Sequence, residues 1–230
     1  MTPPLNPLLS GVVGSTAYGL AHAGSDVDRL GVFAAPTHAL HGLGRPPESA
    51  VTTNPDSTWH EAAKWCRLAL GCNPTAMELV WLDSYEVETE LGQDLIGLRQ
   101  SFLSAGRVRD AYLGYATQQF RKLQARGDGT FSSDVRGRTA KHARHLVRLL
   151  QQGVGLHRTG HLTIRIADPN HVQYLAGRLV AAPVYGEELL QDASQAFDSP
   201  GVLPGRPDES SVEKWLHAVR ATYYRPEADR

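Results

Sequence analysis

The residues best equipped for chemistry are two aspartates set two apart, Asp26-Val27-Asp28, and a Gly14-Ser15 pair ten intervening residues upstream. An acid-x-acid pair alone says little, because the chain holds four: Asp26/Asp28, Glu86/Glu88, Glu88/Glu90 and Glu227/Asp229. The first differs by context. It opens an apolar stretch, 27–34, that reads as a strand, where residues two apart share a face with α-carbons roughly 6.6 Å apart. Two carboxylates so placed bracket a hard cation, and like charges that close need one to stay ionised together. Gly14-Ser15 ends a buried run, 8–14, ahead of a short helix expected at 16–20. Glycine lets the backbone come close to a bound group, and the following N–H groups and the Ser15 hydroxyl suit phosphate oxygens. A strand–turn–helix–strand path brings the two features side by side. Paired carboxylates with a phosphate cradle are the equipment of metal-assisted phosphoryl or nucleotidyl transfer. The plainer alternatives are an exposed turn at a strand start and an ordinary tight turn.

The pattern Gly14-Ser15 … Asp26-x-Asp28 resembles the signature of the DNA polymerase beta nucleotidyltransferase superfamily. The longer string 14–19 with 25–33 is similar, more narrowly, to the bacterial and phage predicted nucleotidyltransferase group, which includes RNA-ligase-associated members. Residues 71–75, Glu78-Leu79-Val80-Trp81 and Lys141-His142 … His145 … Arg148-Leu149-Leu150 also resemble that group, so the likeness spans about 10–165. The resemblance implies a two-metal mechanism in which Asp26 and Asp28 hold Mg²⁺ (or Mn²⁺) ions about 3.5–4 Å apart. One ion grips a nucleoside triphosphate; the other lowers the pKa of the acceptor hydroxyl. It also implies a third carboxylate from a neighbouring strand. Asp56 is the candidate, because 56–61 with Lys64-Trp65 fits the family's strand-into-helix segment, although Pro55 is awkward inside a strand. Glu61 and Glu48 are the alternatives, and Glu61 has a sufficient structural task as a capping residue.

Along 137–152 the spacing of Arg138, Lys141, His142, His145 and Arg148 places them on one helix face, with Ala143, Leu146, Val147 and Leu150 on the other. A nucleotidyltransferase needs cations to neutralise a leaving pyrophosphate, and Lys141, His145 and Arg148 are the preferred set for the nucleotide. A solvated basic face would look the same. Tyr112, Tyr115 and Phe120 could stack a base, but core packing is the stronger reading, as it is for Trp59, Trp65 and Trp81. Neither Cys66 and Cys72 nor the scattered histidines show zinc-ligand spacing.

The elements that must position these groups follow from pattern. With 230 residues, 41% hydrophobic and 20% charged, the chain is long enough for one or two domains with a core and too mixed for disorder. Residues 1–98 carry four Lys and Arg against eleven Asp and Glu, 99–148 eleven against three, and 149–230 eight against ten. An acidic first part and a basic middle suit a metal site facing an anion-binding wall, and equally suit basic residues on solvated helix faces. Strands are expected at 8–14, 27–34 and 49–56. Thr58 with Glu61 reads as a capping box opening a helix to Leu70, and Asn73-Pro74 opens another to Leu82. Helical periodicity dominates 93–152; 160–166 reads as a strand or hairpin, and further helices as 169–182, 185–197 and 212–224. The fold class is α/β: a small mixed sheet with helices over 1–95, then a mostly helical region over 96–230; the resemblance implies that the first is the nucleotidyltransferase core and the second the substrate- and nucleotide-binding region.

The expected function is metal-dependent transfer of a nucleoside monophosphate from a nucleoside triphosphate to a hydroxyl, with release of pyrophosphate. The acceptor is an RNA end or tRNA, a protein side chain or a small molecule. The alternative is a catalytically weak nucleotide-binding or antitoxin-like module on the same fold. A hydrolase using His142 and His145 beside the aspartates ranks last. The Pro-rich start, 1–7, does not read as an export signal, no apolar run reaches the roughly 18 residues of a membrane span, and two cysteines make no disulfide scaffold. A cytoplasmic protein without membrane contact is expected; oligomeric state is left open.

Overall fold

A computed structural model describes residues 5–125 and 133–224, with side chains of the helix that begins at 133 described from Thr139 onward. Residues 1–4 of the N-terminal stretch, the Arg138 side chain and the Glu227/Asp229 pair lie outside the described residues. No helix among the described residues is long and apolar enough to cross a membrane.

The chain divides into two compact units: 1–103 together with 207–230, and 104–206. The division expected at 95/96 differs from this in one important respect, since the last helix returns to the first unit.

The first unit carries a five-stranded mixed sheet in the order β3-β4-β2-β1-β5, with β1 Pro7–Val12, β2 Arg29–Phe33, β3 Ser49–Thr53, β4 Asp56–Glu61 and β5 Val87–Glu88. Strands β1 and β2 are antiparallel, as are β3 and β4 and the short β1–β5 ladder, whereas β2 and β4 run parallel. Helices α1 Gly14–Tyr18, α2 Thr37–Leu40, α3 Ala62–Leu70, α4 Pro74–Glu78 and α5 Glu90–Gly97 complete this stretch. Its core holds Leu8, Leu9, Val32, Trp65, Met77, Leu79 and Phe102, with Trp65 and Phe102 meeting edge-on at 5.3 Å. Trp59, Trp65 and Trp81 are buried, as expected for core residues.

One local expectation is overturned. The segment 56–61 is a strand rather than the first turns of a helix, because its burial alternates, with Ser57, Trp59 and Glu61 inside. A period of two belongs to a sheet, and it overrides the capping-box spacing. Glu61 caps the helix all the same, from the N-cap position: its Oε2 accepts the Ala63 N–H at 2.8 Å, and α3 runs on to a Gly71 C-cap. Pro55 sits in the β3–β4 turn, outside either strand interior. Asn73 caps α4 through Ala76 N–H at 3.0 Å, with Pro74 in the first turn, as the sequence predicts.

The second unit is helical: α6 Ala105–Gln124, α7 Ser133–Thr159, α8 Pro169–Ala181 and α9 Tyr185–Asp198. Tyr112 and Phe120 are buried in it, along with Ala143, Leu146, Val147 and Leu150 of α7. The strand or hairpin expected at 160–166 is irregular chain instead, anchored by Gln152, whose amide donates to the Thr163 carbonyl at 2.9 Å.

The last helix, α10 Glu209–Thr222, packs on the first unit. Trp215 Nε1 donates to the Leu91 carbonyl at 2.9 Å, and Thr37 Oγ1 to the Arg220 carbonyl at 2.7 Å. Arg220 reaches Glu61 Oε1 at 2.6 Å.

Candidate functional site

The sheet places the two motif pieces against each other. The β1–β2 ladder ends in register at Val12↔Arg29, and one further backbone bond, Val13 N–H to the Asp28 carbonyl at 2.9 Å, carries the pairing past the strand ends. Asp28 is thereby fixed beside Gly14. Gly14 has φ +69°, a left-handed conformation, and a Cβ there would lie 3.2 Å from the Asp28 carboxylate carbon and overlap Oδ2. Only glycine meets both demands, the backbone angle and the room for the carboxylate. Ser15 follows in α1, half-buried, with its hydroxyl making no hydrogen bond to a described residue.

Asp26 and Asp28 precede β2 rather than lying within it. Asp26 is exposed and forms no ion pair among the described residues; Asp28 is half-buried. Asp56 opens β4, exposed. Because β2 and β4 are parallel with Arg29↔Ser57 in register, Asp28 and Asp56 are the residues just before that pair, at the same end of neighbouring strands. Adjacent strands stand about 4.8 Å apart.

The two alternatives for the third acid are otherwise engaged. Glu61 is buried between Ala63 N–H and Arg220, and Glu48 pairs with Arg67 at 2.6 Å. In the second acid-x-acid pair Glu86 is likewise engaged: Arg29 Nε donates to both of its carboxylate oxygens, at 3.0 and 2.9 Å. Among the described residues no group of three or more His, Cys, Asp or Glu side chains is gathered closely enough to hold a metal ion. The donor chemistry of the Gly14 cradle still suits magnesium, which binds through one or two hard carboxylates and completes its shell with water and substrate phosphates.

A residue without a functional reading from sequence is Glu78. It is 1% exposed in α4, and Tyr18, the last residue of α1, donates its hydroxyl to Oε1 at 2.5 Å. The bond ties the helix that begins at Gly14 to the segment 74–82. The signal was present, since Glu78 is the only charged residue in that apolar run.

The basic set stands in the second unit, and its members differ. Lys141 is exposed. Arg148 is 3% exposed, donating to Gln152 Oε1 at 2.6 Å and to His145 Nε2 at 3.0 Å. Burial, and then the Arg148 guanidinium beside it, push the His145 pKa down to about 3. His145 is therefore a neutral acceptor for Arg148 and brings no positive charge. His142 meets Gln119 at 2.8 Å. The stripe that spacing places on one helix face is thus half drawn into the packing of α7.

No curated protein matches the chain. Among solved structures it is similar to a nucleotidyltransferase-like protein from Exiguobacterium sibiricum, at 15% identity and a TM-score of 0.30, over 96% of this chain and 73% of that one. A family model, described as RNA repair pathway DNA polymerase beta family, matches residues 4–199. The chain therefore belongs to RlaP, the RNA repair pathway DNA polymerase beta family.

Proposed function

We propose that the protein is a metal-dependent nucleotidyltransferase that moves a nucleoside monophosphate from a nucleoside triphosphate to a hydroxyl acceptor, releasing pyrophosphate. The observation that carries this reading is the seating of the Asp28 carboxylate on Gly14, with Asp26 two residues before it and Ser15 next along the chain. Membership of a polymerase beta family supports it.

In this reading Asp26 and Asp28, joined by Asp56, would hold Mg²⁺ or Mn²⁺. The ions, when bound, would neutralise the triphosphate and lower the pKa of the attacking hydroxyl. Gly14, lacking a side chain, leaves the Asp28 carboxylate the room in which it sits. The Ser15 hydroxyl donates to a phosphate oxygen and thereby fixes its orientation. Tyr18, through Glu78, holds α1 at the angle that presents Ser15. The family description favours an RNA end among the acceptors, and a tRNA is the specific case to try first.

The test is incorporation of a nucleotide labelled at the α-phosphate, with Mg²⁺ or Mn²⁺, into RNA bearing a free 3′-hydroxyl. Asp26→Asn and Asp28→Asn should each cost at least a hundredfold. Nucleotide binding without pyrophosphate release, in the presence of RNA and protein acceptors, would support the binding-module alternative instead. Undiminished transfer by the double variant would end the proposal.

A further inference from the structure

Away from the aspartates, β3, β4 and α3 bring together three side chains that the reading above does not use. Lys64 Nζ donates to Ser49 Oγ at 2.7 Å, and Ser49 Oγ lies 2.9 Å from His60 Nδ1. An ammonium has only donors, so Ser49 accepts from Lys64 and has its own proton to give to His60. A neutral imidazole that accepts at Nδ1 carries its hydrogen on Nε2. The chain of bonds therefore ends in donors with no further partner among the described residues: the remaining N–H groups of Lys64 and the Nε2–H of His60. All three residues are half-buried rather than sealed in the core.

The charge balance there is unequal. The nearest acids along these elements, Glu48 and Glu61, are held by Arg67 and by Arg220 with the Ala63 N–H. No carboxylate pairs with Lys64 among the described residues. Burial, and then the Lys64 charge, hold the His60 pKa below its usual value, as an ammonium lacking a counter-ion nearby would do. A partly desolvated cation with an imidazole N–H beside it, the two linked through Ser49, is complementary to a tetrahedral oxyanion. Ser49 pairs with His60 in register, whereas Asp56 pairs with Thr53 at the other end of the hairpin. His60 stands four positions along the strand from Asp56, roughly 13 Å at ~3.3 Å per residue. The cluster is therefore distinct from the carboxylate end of the sheet.

We infer that Lys64, Ser49 and His60 form a phosphate-binding subsite. The shared chemistry is a phosphate group, and it has two sources: a terminal phosphate, or the phosphodiester backbone of a nucleic-acid strand. The subsite does not depend on the transfer reaction.

The test follows the His60 ring resonances by NMR in the full chain at pH 7.5 and constant ionic strength. Inorganic phosphate, a 5′-phosphorylated single-stranded RNA oligomer and the same oligomer with a 5′-hydroxyl are titrated separately. Saturable movement with inorganic phosphate is expected, weakened at least tenfold in Lys64→Met and several-fold in Ser49→Ala. Arg67→Met, which removes a cation already paired with Glu48, should leave it unchanged. Movement with the 5′-hydroxyl oligomer assigns the backbone as the source, and movement only with the phosphorylated one assigns the terminus. Non-saturable movement, or movement of equal affinity in a folded Lys64→Met or Ser49→Ala protein, overturns the inference.

Discussion

The Asp28 carboxylate rests on the α-carbon of Gly14, in space that any other side chain at position 14 would claim. The contact is produced by backbone pairing, since the Val13–Asp28 bond extends the β1–β2 ladder to the point where the two chains turn away. It converts two separated sequence motifs into one surface, and it makes the glycine as much a part of the candidate site as the acid.

Gly14→Ala should accordingly disable the site more than it harms the fold. The left-handed φ of +69° and the overlap with Asp28 together cost about 1–3 kcal/mol. Nucleotide incorporation is expected to fall at least a hundredfold, because the carboxylate must move to make room. Gly97→Ala is the control: a Cβ there meets nothing within 4 Å, and helical alanine gains about 0.5–1 kcal/mol over glycine. Assays of both variants beside urea melts will separate the effects. Equal activity in the two would mean that the contact has no catalytic consequence.

Asp56→Asn tests the third acid. Asp56 is exposed at the head of β4, at the same strand end as Asp28, so the substitution should leave the melting temperature within about a degree while lowering transfer at least tenfold. Raising the Mn²⁺ concentration should restore part of the loss if the side chain helps to hold the ion. Glu48→Gln, which only breaks a surface pair with Arg67, should do neither.

What the sequence made legible followed from local geometry. Asp26 and Asp28 lie just ahead of β2, Gly14 opens α1 two residues after β1 ends, and Asn73-Pro74 stands at the head of α4, because turns, caps and short strands are written in a few adjacent residues. Other features needed information from elsewhere in the chain. Thr58 and Glu61 have capping-box spacing, and only pairing of 56–61 with β2 and β3 makes that segment a strand. The return of α10 to the sheet rests on Glu61 and Arg220, 159 positions apart, a partnership no local pattern announces. The basic stripe on α7 was legible as a spacing, but its meaning depended on burial: Arg148 turns inward to His145 and Gln152, while Lys141 remains exposed.

The Glu61–Arg220 pair predicts how strongly the C-terminal helix supports the first unit. Glu61 is 4% exposed and both its oxygens are used, one by Arg220 and one by Ala63 N–H. Glu61→Ala removes a helix cap and leaves the guanidinium largely buried without its partner, a loss of about 2–4 kcal/mol. Arg220→Ala should cost less, since Glu61 keeps its capping bond. The double variant should be more stable than the summed losses imply, because the pair interaction is counted twice in the singles. Equilibrium denaturation of the three proteins checks this, and simple additivity would show that the ion pair contributes nothing.

His145 predicts a pH dependence with a definite sign. Its pKa of about 3 in the folded protein lies below the usual 6.5, first through burial and then through Arg148, so between those values the unfolded chain binds the proton and the folded chain does not. Unfolding is then favoured as pH falls: the contribution from His145 is complete above about pH 6.5, declines through that window and is exhausted near pH 3. His145→Gln keeps an acceptor for Arg148 and lacks the titrating group, so its stability should fall less steeply than that of the parent from pH 6.5 to 4. His60, whose pKa is also lowered, acts in the same direction in both proteins and does not cancel from either curve, only from their difference. The His145 ring carbons should show no protonation shift between pH 8 and 5 by NMR. A midpoint near 6 would mean that the imidazole carries charge after all, and would return it to the set of cations available to a polyphosphate.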